Sequence, residues 1–182
     1  SLCNKFDYKP SFPITSVVYK KHSNSIDNIG GNFELCAHGL KHINHRNLNN
    51  QDKVNQLTKA FSILSKSPHF ERGFRAPYLS KDATLSKSLS DAKFEYDSSY
   101  NVFTPYPIKN NLDVQRVLDF YKTSKDTYRN PYFEEGIIQI PVNLPDDQIL
   151  LDIENFSQDL IFKIWKKILL NCIKENTIFV LQ

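Results

Sequence analysis

Several features that mark special classes of protein are missing from this sequence. Its three cysteines include no CxxC pair, and their odd number argues against a disulfide framework and favours a reducing compartment. It has no dense block of lysine or arginine, and a net charge of +3 is too small to indicate nucleic-acid binding. No apolar run approaches the roughly 18 residues that suggest a membrane span. We therefore expect no nucleic-acid partner and no membrane span.

The sequence also contains no methionine, so its first residue is not an initiator. It begins in SLCNKFDYKPSFP, a pattern typical of a helix end and loop, and it stops in the strand-like run TIFVLQ. Its 182 residues, 40% hydrophobic and 24% charged, suit one globular domain. We expect a single domain over residues 1–182 that is truncated at both ends.

Patterns of strand type alternate with patterns of helix type along the chain. Short β-branched or apolar runs bounded by turn residues predict strands, and apolar residues at helical spacing predict helices. The predicted strands are 14–20, 32–37, 72–77, 93–100, 136–142 and 177–181, and the predicted helices are 50–64, 80–92 with Ser80 as N-cap, 112–123 and 157–175, with a loop over 101–111. This order predicts an α/β fold of βα units, either a barrel or an open sheet.

The stretch NFELCAHGLKHINH, residues 32–45, places three histidines directly after a predicted strand. His38 and His42 are four residues apart, a spacing that lets two imidazoles face one metal ion. The same spacing arises by chance in polar loops, and the HExxH pattern is absent because Gly39 follows His38. His45 is either a third nitrogen ligand or, as we expect, a surface histidine.

A second polar element, GFRAPYLS, follows another predicted strand. Arg75 stands at the strand end with Pro77 two residues later, and an arginine there can bind a carboxylate through a bidentate fork. Taken alone, the pattern fits an ordinary surface arginine before a turn. Because chemistry collects at the C-terminal ends of strands in α/β folds, His38, Arg75 and Asp97 are all candidate site residues.

Together and in this order, these elements resemble motifs of the polysaccharide deacetylase family (NodB-type, carbohydrate esterase family 4). FELCAHGLKH resembles the family's metal-histidine motif, and RGFRAPYLSKDATLSKSLSDAKFEYDSSY resembles its arginine–proline motif with the helix and strand that follow. GIIQIPVNLPDD and the helix leading to TIFVLQ resemble the later part of the same domain. The resemblance covers nearly the whole chain and implies an incomplete or distorted (β/α)7 barrel, a TIM-like barrel.

The resemblance implies a hydrolase that uses a divalent metal, with zinc as the expected ion. Its reaction would remove an acetyl group from an acetylated amino sugar in a polysaccharide or glycolipid. His38 and His42 match the two metal-binding histidines. Arg75 matches the arginine that braces the catalytic base, and Tyr78 matches the residue whose backbone N–H stabilises the oxyanion. The chemistry is consistent, because metal, base and N–H act on one tetrahedral centre.

The sequence also departs from the family. The family opens with a strand bearing an Asp-Asp motif, which supplies the base and the third metal ligand, and that strand would precede residue 1. The late histidine motif would follow Gln182, Leu79 stands where the family has glycine, and Trp165 does not match the tryptophan motif. Without base and third ligand, an enzyme of this kind would lose most of its rate and metal affinity.

The departures leave other functions open. One alternative is a catalytically inactive, carbohydrate-binding deacetylase-like domain. Another is an α/β domain that binds nucleic acid or protein and carries incidental histidines. The sugar, the linkage, the metal and the oligomeric state stay open. The compartment stays open between the cytoplasm, which the cysteine pattern favours, and the cell surface, which a signal in a missing N-terminus would imply.

Overall fold

The computed structural model describes residue 5 and residues 8–182 of the chain. These residues form two compact units, each described by itself. Unit one comprises the described residues up to Ser98 together with Phe133–Ile138, and unit two comprises Ser99–Tyr132 and Gln139–Gln182. In the described part of the chain, no helix is both long enough and apolar enough to cross a membrane. The single domain expected over residues 1–182 stays a prediction.

Unit one is built on a six-stranded sheet. Its strands are β1 (Ser11–Ile14), β2 (Glu34–Ala37), β3 (Phe70–Phe74), β4 (Tyr96–Asp97), β6 (Tyr132–Glu134) and β7 (Ile137–Gln139). Their order across the sheet is β1-β2-β3-β4-β7-β6, and β1 to β4 pair in parallel. The predicted α/β class is therefore confirmed as a mixed fold with a mostly parallel sheet. Across the described residues this sheet is open, and the closed form of a barrel is not seen.

Three helices connect the parallel strands of unit one. They are α1 (Ser16–Asp27), α2 (Asn50–Leu64) and α3 (Leu85–Asp91). Leu35 and Ala37 of β2 are buried in one apolar cluster with helix residues such as Leu57. Because side chains alternate across a strand, Glu34 and His38 point to the opposite face of the sheet. The apolar face of the sheet thus holds the core, and the other face carries polar side chains.

Most predicted elements of unit one are confirmed. α2 occupies the predicted range, and the side chain of Asn49 caps it by accepting the Asp52 N–H at 2.8 Å. The predicted N-cap Ser80 is wrong, because α3 begins later, after Thr84.

The strand predicted over residues 14–20 is also wrong. β1 ends at Ile14, and α1 begins at Ser16. Ser16 and Tyr19 are the buried residues of α1, at the three-residue spacing of a helix face, whereas Val17 and Val18 are 40% and 47% exposed. The β-branched run favoured a strand, but burial of one helix face overrides this weak preference.

Unit two contains a two-stranded parallel sheet of β5 (Asn101–Phe103) and β8 (Val142–Leu144). It also contains α4 (Asn111–Tyr121), α5 (Gln158–Lys174) and a π-helical turn (Gln148–Ile153), so both predicted helices are confirmed. Trp165 of α5 packs against the apolar cluster of this unit, and its indole N–H donates to the Pro145 carbonyl at 3.1 Å. Trp165 therefore contributes to the packing of this unit.

One loop prediction and two strand predictions near unit two need correction. The expected loop 101–111 contains β5, and the expected strand 136–142 is divided between β7 and β8, which belong to different sheets. The segment 177–181 forms no strand. There, Asn143 N–H donates to the Val180 carbonyl at 3.0 Å, and Val180 N–H donates to Asn143 Oδ1 at 2.7 Å. The side-chain oxygen of Asn143 thus accepts a bond that a backbone carbonyl would accept in a regular strand pair.

Candidate functional site

The predicted site residues follow neighbouring parallel strands of unit one. His38 follows β2, Arg75 follows β3 and Asp97 ends β4. Ala37 is paired with Phe74, and Phe74 with Asp97, so the three strand ends lie side by side. The carboxyl ends of parallel strands meet at one edge of a sheet, and this is the edge where α/β folds place their chemistry. His42 and Tyr78 lie on the two loops that leave this edge.

The turn after His38 depends on glycine. Gly39 has a φ of +82°, and an added Cβ would lie 2.8 Å from Cε1 of His45 and 2.9 Å from the Lys41 carbonyl oxygen. Both the positive φ and the close contacts therefore require glycine here. The resulting turn brings the ring centroids of His38 and His42 to 4.9 Å from each other.

The surroundings of His38 determine which of its two ring nitrogens carries the proton. Nδ1 lies 2.8 Å from the carbonyl oxygen of Arg75, so Nδ1 carries the proton and Nε2 keeps its lone pair. Burial is the main reason that the pKa of His38 is lowered from 6.5 to about 4. The hydrogen bond to the Arg75 carbonyl raises this pKa, and the nearby charges of His42 and Arg75 lower it further. His38 is therefore neutral near pH 7, which is the form that binds a metal ion.

The distance between the two histidine rings is compatible with their binding one zinc ion. Two imidazoles bound to one tetrahedral zinc at about 2.0–2.1 Å have ring centroids roughly 5 Å apart. The His38–His42 distance of 4.9 Å matches this geometry. The bond from His38 Nδ1 to a backbone carbonyl is also the kind of support that metal-bound histidines have. Among the described residues, however, no group of three or more His, Cys, Asp or Glu side chains could hold a metal ion.

Arg75 is held by the strand that follows it in the sheet. Its Nε donates to the Ser98 carbonyl at 3.1 Å, and its Nη2 donates to Ser98 Oγ at 2.9 Å. The pKa of Arg75 is lowered from 12.5, because the effect of burial outweighs the opposite effect of the nearby Cys36, Tyr96 and Asp97. Neither bond to Ser98 uses Nη1, so the guanidinium is fixed in place with donor capacity left over.

Tyr78 stands in a left-handed turn beside the histidines. Tyr78 has φ 60°, and the next residue, Leu79, has φ 48°. The Tyr78 ring is 44% exposed and meets the His42 ring edge to face, with centroids 4.7 Å apart. The structure thus brings His38, His42, Arg75 and Tyr78 together, and their assigned roles stay predictions.

Some polar residues near the site differ from their prediction, and others were not identified from the sequence. His45 was expected at the surface, and this is wrong: it is fully buried, and neither ring nitrogen has a hydrogen-bond partner among the described residues. Lys53 of α2 is also fully buried. Lys81 lies 3.9 Å from the buried Asp97 and pairs with Glu134. These contacts join residues far apart in sequence, so no local pattern signals them.

No protein-family model and no curated protein matches this chain. Among solved structures, the chain is similar to the crystal structure of a provisionally assigned polysaccharide deacetylase from Mycobacterium smegmatis. The TM-score is 0.67 and the sequence identity is 17%, with 99% of this chain covered. The chain spans 59% of the length of that protein. At this identity, the likeness shows a shared fold.

Proposed function

We propose that this chain is a metal-dependent hydrolase that removes an acetyl group from an acetylated amino sugar in a polysaccharide or glycolipid. The observation that carries the proposal is the His38–His42 pair, with rings 4.9 Å apart and His38 Nδ1–H donating to the carbonyl of Arg75. The likeness in fold to a provisionally assigned polysaccharide deacetylase supports the same function. The two sequence motifs, which meet at one sheet edge, support it as well.

Each site residue has a role in this proposal. When bound, a zinc ion would polarise the acetyl carbonyl and lower the pKa of a bound water toward about 7. His38 offers Nε2 to the ion, because Nδ1 is used by a carbonyl, and His42 offers a second nitrogen. Arg75 orients a carboxylate base through the donor capacity that Ser98 leaves. The backbone N–H of Tyr78 donates to the oxyanion.

The proposal requires a carboxylate base and a third metal ligand besides these residues. Asp97 lies at the same edge, but it is fully buried and close to the Lys81 ammonium, which suits a structural carboxylate. We propose that the base and the third ligand are carboxylates outside the described residues, as the resemblance to the deacetylase family implies.

The test is acetate release from oligosaccharides of N-acetylglucosamine in the presence of zinc. We expect His38→Ala and His42→Ala to reduce the rate by about 100-fold or more, because each removes a metal ligand. Lys41→Ala, which changes an exposed residue next to His42, is the matched control and should retain the rate. Acetate release by both histidine variants at the wild-type rate would refute the proposal.

A second candidate is a catalytically inactive domain that binds the same carbohydrate. The observation that favours it is the lack, within the described ranges, of any group of three metal-binding side chains. This candidate predicts oligosaccharide binding that is independent of zinc and unchanged in His42→Ala, with no acetate release by any variant. Zinc-dependent hydrolysis would exclude it.

A further inference from the structure

The loop after β3 is held in an unfavourable backbone conformation. Tyr78 and Leu79 both lie in the left-handed region, with φ values of 60° and 48°, and neither is glycine. Two such residues in a row cost free energy, and they persist where surrounding contacts leave the chain no alternative. The loop therefore needs anchors that a relaxed turn would not need.

One anchor comes from the loop that carries the histidines. Arg46 Nε donates to the Lys81 carbonyl at 3.2 Å, and Arg46 Nη2 donates to the Leu79 carbonyl at 3.4 Å. The planar fork of arginine can reach two carbonyls at once, whereas lysine presents a single ammonium. Arg46 thus binds the strained turn directly, and it connects the histidine loop to the tyrosine loop.

A second anchor holds only the far end of the tyrosine loop. The buried ammonium of Lys53 donates to Asp82 Oδ2 at 2.6 Å and to Thr84 Oγ1 at 2.7 Å. Asp82 and Thr84 come later in the sequence than the left-handed residues Tyr78 and Leu79. Arg46, by contrast, bonds to a carbonyl of the strained part itself and so ties it to the histidine loop.

We infer that Arg46 is a positioning residue that fixes the Tyr78 turn against His42. It does so through the carbonyls of Leu79 and Lys81, to which its guanidinium donates. The distance that it controls is the 4.7 Å between the ring centroids of Tyr78 and His42. That Arg46 positions the Tyr78 turn is independent of the proposed function. The effect of this positioning on catalysis rests on the proposed function.

The first test measures the geometry without any assay of activity. In the metal-free protein, the ring current of Tyr78 shifts the NMR signals of the His42 ring protons, and Tyr78→Leu gives the value without that shift. We expect Arg46→Lys, which keeps the charge and loses the fork, to lose more than half of the shift. Arg72→Lys is the matched control, because Arg72 pairs with Glu95 on the exposed surface. A full shift in Arg46→Lys would overturn the inference.

The second test measures whether Arg46 holds the strain. Arg46→Lys should lower the urea midpoint, and it should lower it less in a Tyr78→Gly background, because glycine adopts a positive φ without strain. An equal fall in both backgrounds would show that Arg46 acts elsewhere. This cycle also decides the question if the NMR signals of His42 are too broad to follow.

The third test reads the consequence for catalysis. If the wild-type protein releases acetate, Arg46→Lys should lower kcat by about 10- to 100-fold with KM changed less than about twofold, since binding survives and alignment does not. A lost ring-current shift with unchanged kcat would refute the positioning role. A wild-type protein without activity would refute the proposed function, while the first two tests would still decide the geometry.

Discussion

Acidification should destabilise the metal-free protein between pH 6.5 and pH 4, because the partly buried His38 and the fully buried His45 are neutral in the folded state. Burial lowers the pKa of His38 from 6.5 to about 4. Burial, with the nearby Lys53 ammonium, lowers the pKa of His45 from 6.5 to about 4. The pKa of each imidazole is lower in the folded state than in the unfolded chain. The stabilisation that each neutral imidazole contributes is therefore fully present above pH 6.5 and is lost as the pH falls through 4.

The size of the effect follows from these values. A lowering from 6.5 to about 4 corresponds to roughly 3 kcal/mol for each imidazole. At about pH 5 to 6, the unfolded chain binds nearly one more proton than the folded protein for each group. The free energy of unfolding should then fall by about 1.4 kcal/mol per pH unit for each imidazole.

The assay is urea unfolding in the presence of a chelator at about pH 7, 6 and 5. His38→Gln removes one titrating group and keeps a donor for the Arg75 carbonyl, so its average slope from pH 7 to pH 5 should be smaller by about 1 kcal/mol per pH unit. His22→Gln removes an exposed imidazole of α1 and is the matched control. A His38→Gln slope equal to the wild-type slope would refute the assigned burial of His38.

Three further predictions concern stability and are read from urea midpoints. Lys53→Met should cost about 3 kcal/mol, because it strands the Asp82 carboxylate, and adding Asp82→Asn should recover most of the loss; no recovery would contradict this pairing. Gly73→Ala should cost about 1–3 kcal/mol, because the new Cβ would lie 1.9 Å from Cζ of Tyr96, and Tyr96→Leu should relieve it. Ser157→Ala should cost about 1 kcal/mol through loss of the α5 cap, and Ser157→Asp should not; equal losses would argue against the cap.

The elements that could be predicted from the sequence are those with one strong local pattern. α2 and α5 have apolar residues at helical spacing along their lengths, and β2 is a short apolar run. In each case the buried face is visible in the order of the residues. The segment that forms α1 was predicted as a strand, because its buried face consists of Ser16 and Tyr19 and a serine gives no hydrophobic signal.

The candidate site was predictable where a motif and a strand end coincide. His38 and Arg75 follow parallel strands, so their proximity follows from the α/β order. The supports around them are different, since Arg46 reaches Lys81 across 35 residues and Lys53 reaches Asp82 across 29. Such contacts arise from the packing of loops on one sheet edge, and the spacing of residues along the sequence does not predict them.

The central claim is that His38 and His42 bind one metal ion, and zinc content after equilibration and removal of free metal tests it most directly. In a protein that contains the proposed third carboxylate ligand, the account predicts near-stoichiometric zinc in the wild type and in His22→Ala, and its loss in both His38→Ala and His42→Ala. Zinc retained by both variants, or no zinc above background in the wild-type protein, would contradict the account.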